Sequence, residues 1–198
     1  MRQLLDAGLG LLSDELVQAG KLCEAAVTDL VAAYLDGVDV RKGLLKRAEQ
    51  LQALQEDVDE VAADLIARHM PDASELKFIK SCKKITLEFA RFGKYAYDIS
   101  DLVARRQPME HDDEDVKKVA ELAGTLIRTG ITALKNKDPA LAAELRKMRV
   151  SIDRLHGEID TPRTASSALF LRYLEGVSVH AASMGDSALY ITAEEARS

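Results

Sequence analysis

Between residues 78 and 103 the apolar side chains Phe78, Cys82, Ile85, Phe89, Phe92, Ala96, Ile99 and Val103 advance by alternating steps of four and three. That alternation keeps side chains on one face of an α-helix, so the stretch predicts about seven turns of helix with one side packed on other helices. The same rhythm returns at Phe170, Leu174, Val177, Ala181, Met184 and Ala188, which align with residues 85–103 at a constant offset without a gap. Identities are few while the pattern is kept, which predicts a tandem repeat centred on residues 85–106 and their echo.

The rest of the chain extends the pattern. Leu5, Leu9, Leu12, Leu16, Ala19, Cys23, Ala26, Leu30 and Ala33 predict a long first helix, ended by Gly37. Asp39 can cap a second helix carrying Leu44, Ala48, Leu51, Leu54, Val58, Val61 and Leu65, broken at His69, Met70 and Pro71. Asp72 or Ser74 caps the third. Residues 107–115 hold a proline and an acidic run without apolar pattern, so they mark the boundary between halves at 1–107 and 108–198. A fourth helix is expected over about residues 116–135. Asp138-Pro139 starts a fifth and Thr161-Pro162 a sixth, because Asp or Thr caps while proline at the first helical position forfeits only an orphan donor. The expected fold is all-α: six long helices, short connections, two tandem antiparallel three-helix bundles.

Composition narrows the function. Apolar residues at 47% and charged residues at 30%, with no sustained period-two run, favour a helical soluble protein over a disordered or all-β one. A formal net charge of -6 argues against a dedicated nucleic-acid binder. Cys23 and Cys82 both fall on apolar helix faces, as buried thiols of a reducing compartment do. Asp6, Asp14 and Glu15 interrupt the N-terminal apolar stretch too early for a signal peptide or a spanning helix, so a cytoplasmic location is expected.

Catalytic signatures are missing. No glycine-rich phosphate loop follows a strand, and no Ser, Cys or His stands in a nucleophile's setting. A di-iron bundle needs two Glu-x-x-His pairs, and the sequence offers only the imperfect Asp153-Arg154-Leu155-His156. His180 borders the core stripe and reads as a half-buried helix residue. An enzyme is therefore not expected.

The third helices carry a resemblance. The first copy reads Ala90-Arg91-Phe92-Gly93-Lys94-Tyr95-Ala96-Tyr97-Asp98-Ile99, and the second Glu175-Gly176-Val177-Ser178-Val179-His180-Ala181-Ala182-Ser183-Met184. Occurring twice in a six-helix layout, they resemble the motif of the PhoU family of phosphate-uptake regulators, its archaeal members most. The resemblance covers nearly the whole chain. It implies a non-catalytic adaptor that binds the ATPase of a phosphate ABC transporter or a phosphate-signalling protein, working as a homodimer. Family members that hold multinuclear iron or zinc use acids four apart on this helix. Here those positions are Ala90, Lys94, Glu175 and Val179, so Glu175 alone keeps its carboxylate, with Asp98, Asp59 and Asp153 further along the polar faces. Two other readings stand beside the adaptor: a metal-binding helical bundle carrying Fe or Zn on those acids, and a helical scaffold unrelated to phosphate.

Lys94 stands where the family has an acid and extends a basic stripe. Lys77, Lys80, Lys84, Arg91 and Lys94 share roughly a third of the helix circumference. The stripe is either an ordinary solvated face or a docking surface for an acidic partner or an anion.

Overall fold

The computed structural model describes residues 2–104, 112–158 and 165–195. They form α1 (Arg2–Asp36), α2 (Arg41–His69), α3 (Ala73–Ala104), α4 (Asp112–Asn136), α5 (Pro139–Glu158) and α6 (Ala165–Glu195), and no strand occurs among them. The 107/108 boundary and the Thr161-Pro162 start fall outside the described residues, and α4 begins four residues earlier than its apolar pattern.

Local chemistry sets the ends. Gly37 takes φ +66 beyond α1, a conformation in which a Cβ is strained. Asp39 Oδ1 accepts the Arg41 amide at 3.1 Å to open α2, and Met70 turns left-handed to close it. At α3 the capping residue is Asp72. Its carboxylate accepts the Glu75 amide at 2.9 Å while Glu75 accepts the Asp72 amide at 2.8 Å, a reciprocal box that satisfies two orphan donors. Asp138 accepts the amides of Ala140 and Leu141 at 2.8 and 3.2 Å, with Pro139 the first residue of α5.

The apolar stripes then choose the packing. α1, α2 and α3 pack on one another, as do α4, α5 and α6, and the two sets meet along α3 against α6 and α1 against α4. One core cluster runs through both halves, from Leu5 on α1 to Ile191 on α6. Burying each Leu, Ile or Phe contributes about 1.5–3 kcal/mol. Aromatic rings tie the halves together: Tyr34 of α1 lies 4.8 Å from Phe170 of α6, and Phe92 of α3 meets Tyr173 edge-on at 6.4 Å. Cys23 and Cys82 are free and buried, and burial pushes both thiols up to about 12, so they stay protonated.

α3 and α6 run antiparallel. Lys77, near the start of α3, holds Tyr190 near the end of α6, while Tyr95 and Ile99 share a groove with Leu169 at the start of α6. The seam between the halves is therefore made by the repeated helix and its echo.

Candidate functional site

Along the α3–α6 seam lies an open groove of about 440 Å³. Its floor is Phe92, Ile99 and Tyr173, and Gly176 adds no side chain to it. Tyr95 of α3 and Leu169 of α6 also line it and are 52% and 44% exposed, which leaves two large apolar groups open to solvent. Polar groups alternate with them. Arg91 Nη1 pairs with Glu88 at 3.2 Å within α3, and Arg172 pairs with Glu175 within α6. Across the seam, His180 Nδ1 lies 3.7 Å from Glu88 Oε2 and its ring meets Phe92 at 5.4 Å. The Tyr173 hydroxyl is buried without a hydrogen-bond partner among the described residues, and burial raises its pKa well above the ordinary phenol value. It belongs to the core beneath the groove.

The basic stripe divides into two parts. Lys80, Lys84, Arg91 and Lys94 are exposed on α3. Lys77 is turned inward: its ammonium donates to the Tyr190 carbonyl at 3.2 Å and sits 3.8 Å from the centre of that ring, so it acts as a fastener between the halves. Lys80, Lys84 and Lys94 make no ion pair among the described residues. The uncompensated charge of the stripe therefore sits on those three.

Among the described residues the carboxylates considered for metal form no cluster. Asp59 on α2 receives Gln55 at 2.7 Å and pairs with Lys83 of α3 at 3.3 Å. Glu175 is held by Arg172, and Asp98 stands exposed on α3. The Asp153 side chain lies outside the described residues. Among the described residues no three His, Cys, Asp or Glu side chains gather closely enough to hold an ion. Clustered iron or zinc needs several carboxylates with free lone pairs on one surface, and a set already engaged by Lys83 and Arg172 does not fit it.

The second seam, between α1 and α4, carries a groove of about 490 Å³ lined by Glu24, Thr28, Lys117, Glu121 and Arg128 among others. Its acids and bases balance, with Arg128 paired to Glu24. Of these two seams, the α3–α6 groove is the one that joins exposed Tyr95 and Leu169 to nearby cations. Its α6 wall, Leu169 and Arg172, escaped the sequence reading, although the repeat itself was the available signal: two copies of one helix commonly meet at the seam.

Two three-helix sets that meet along their third helices define a helical-bundle protein. Residues 16–103 match the family model described as the PhoU domain. A phosphate-specific transport system accessory protein PhoU homolog of Pseudomonas putida is 25% identical and aligns over 96% of this chain and 80% of its own. In fold, the crystal structure of PhoU from Pseudomonas aeruginosa superposes with a TM-score of 0.83 at 21% identity, over 96% of this chain and 99% of that one. The phosphate transport system regulatory protein PhoU from Streptococcus pneumoniae gives 0.80 at 16%, over 96% and 97%. Residues 16–103 thus belong with the PhoU domain family, and the similarity to PhoU proteins runs over nearly the whole chain.

Proposed function

We propose that this chain is a regulatory accessory protein of phosphate uptake, acting in the cytoplasm through protein contacts and without catalysis. The observation that carries the reading is the alignment with an accessory protein of the phosphate-specific transport system over 96% of this chain. Among the described residues no helix is long and apolar enough to cross a membrane, which suits a part that visits a transporter from outside the bilayer. In this reading residues 1–107 and 108–198 are two repeats of one unit, the working form is a homodimer, and the partner is the transporter's ATPase or a phosphate-signalling protein. The chain docks through the basic stripe, with Lys80, Lys84, Arg91 and Lys94 meeting the partner and Lys77 bracing the seam beneath them.

Co-purification tests the reading. Full-length chain should capture the transporter ATPase or a sensor from phosphate-replete cells, and cells lacking the chain should lose phosphate control of uptake. The triple charge reversal Lys84→Glu, Arg91→Glu, Lys94→Glu should weaken capture at least tenfold, as loss of several steering cations does at low salt. Self-association alone, with uptake unaltered by deletion, would mean a scaffold unrelated to phosphate.

A further inference from the structure

The groove between α3 and α6 limits what can dock, and this inference rests on the docking reading above. Three observations bear on it. First, the lined part of the groove extends on α3 from Glu88 to Ile99, about 18 Å or three helical turns, the length over which a helix presents apolar anchors at i, i+3 or i+4, and i+7. Second, Tyr95 and Leu169 stand exposed on facing walls with Phe92 and Tyr173 below, so an apolar edge has somewhere to bury. Third, cations outnumber acids along the seam, where Glu88, Asp98 and Glu175 are the nearby carboxylates. Lys84 and Lys80 continue the α3 wall beyond Arg91, Lys94 flanks it, and Arg172 rises from the α6 wall, in a chain whose formal net charge is -6.

We propose that this groove receives one amphipathic helix of a partner protein, apolar along the edge that enters and acidic along the edge that faces α3. Arg91 and Arg172 serve it most directly. Each is now held by a carboxylate of its own helix, Glu88 and Glu175, in pairs exposed to water. Such pairs are weak, so each guanidinium can turn to an incoming carboxylate at little cost. Among the described residues Lys80, Lys84 and Lys94 have no paired carboxylate to give up, and they draw the acidic edge from a distance. At the far end of the seam the Lys77–Tyr190 clasp closes the α3–α6 line, which sets where the guest helix stops. A phospholipid surface fits less well, because a flat bilayer cannot follow the groove down to Phe92 and Tyr173 on its floor as a single helix can.

The test uses the purified full chain and a labelled synthetic helix of about 18 residues, glutamate along one edge and leucine along the other. Its affinity is read by fluorescence anisotropy. A peptide of the same composition with the leucines scattered serves as control. Wild type should bind the amphipathic peptide, more weakly as salt rises, and ignore the scattered one. Arg91→Glu with Arg172→Glu should lose about tenfold or more, as should Leu169→Glu, while Lys42→Glu on exposed α2 should stay within about twofold. Circular dichroism and unchanged melting show that the variants are folded. Equal binding by all variants overturns the inference. So does binding to phosphatidylglycerol vesicles in place of the peptide, or a sedimentation shift showing that Leu169→Glu breaks a dimer, since a second copy would then own the groove. The two readings fail separately. If the groove variants lose the peptide but still capture the transporter ATPase, the groove assignment falls and the adaptor remains. If wild type binds the peptide but captures no transport or signalling protein, the adaptor falls and the groove remains.

Discussion

α3 and α6 hold the same place in their halves, and their inner and outer faces behave oppositely. Inside, the correspondence is close: Phe89, Phe92 and Ala96 answer to Leu174, Val177 and Ala181, all buried in one cluster. Outside, at the same offset, Lys80, Lys84, Arg91 and Lys94 answer to Ala165, Leu169, Gly176 and Val179. Packing density constrains the inner positions, because a volume change there is felt by every neighbour. Nothing of that kind acts on the outer ones. At these four positions one copy carries cations and the other small or apolar side chains, and the two helices together make a groove that neither makes alone.

The largest test of this comparison concerns the inner face. Phe89 and Phe170 are buried at 2% and 0% exposure, one on each helix. Truncating either to alanine should cost about 3–5 kcal/mol in denaturant unfolding, the range for a phenylalanine whose site cannot collapse. Phe170 also contacts Tyr34 of α1, so Phe170→Ala should loosen the first half as well, within one unfolding transition. Hydrogen exchange checks it: protection in α1 and α2 left untouched by Phe170→Ala would mean that the halves are energetically separate.

A smaller effect separates how each third helix meets its second. A Cβ on Gly93 would stand 2.5 Å from Leu51 Cδ1, the end of a side chain that can rotate, and 3.4 Å from Ala48 Cα. At Gly185 the neighbours are the Ala142 carbonyl at 3.0 Å and Leu145 Cβ at 3.2 Å, both tied to the backbone of α5. Alanine favours a helix over glycine by about 1 kcal/mol. Gly93→Ala should therefore come out near neutral, whereas Gly185→Ala should lose about 1–3 kcal/mol as the overpacked α5 shifts. Thermal melts of the two variants decide it, and equal losses would show that α2 is as unyielding as α5.

Much of this was legible in the sequence because it is sequential. The four-three alternation is a property of neighbours along one chain, and so are the Asp72 cap, Asp138-Pro139 and Gly37; each needs no knowledge of any other helix. The site was legible only in part, because its geometry depends on how α3 lies against α6. Lys77 shares a helical face with Lys84 and Arg91, yet Tyr190, a residue far along the chain, turns it into a clasp. Glu175 survives at a metal-type position, yet Arg172 occupies its carboxylate. Leu169 carries no sign in the sequence that it lines one groove with Tyr95. Rim residues from different helices are brought together by tertiary register, and periodicity carries no information on that.

The smallest effect comes from the charge on the other side of the first half, where α1 and α2 meet. Burial, then Asp57, then Asp14 raise the Glu15 carboxyl above its ordinary value, and its Oε2 is buried without a hydrogen-bond partner among the described residues. The folded state therefore holds this proton more tightly than the unfolded chain does. Stability from that source is present at low pH and is lost as pH rises through the folded-state value. Above it, the ionised Glu15 is a small burden that an uncharged side chain lacks. Glu15→Gln should accordingly melt slightly higher than wild type at pH 7, by less than the Gly185→Ala difference because Glu15 is partly solvated. The advantage should shrink to nothing as pH drops below the ordinary carboxylate range. Asp186→Asn supplies the second-half control: its pair with Arg146, 62% exposed on each side, should shift stability by no more than about 0.5 kcal/mol. A Glu15→Gln gain that stays constant across pH would assign the effect to packing instead of charge, and the acidic face of α1 and α2 would then be an ordinary solvated surface.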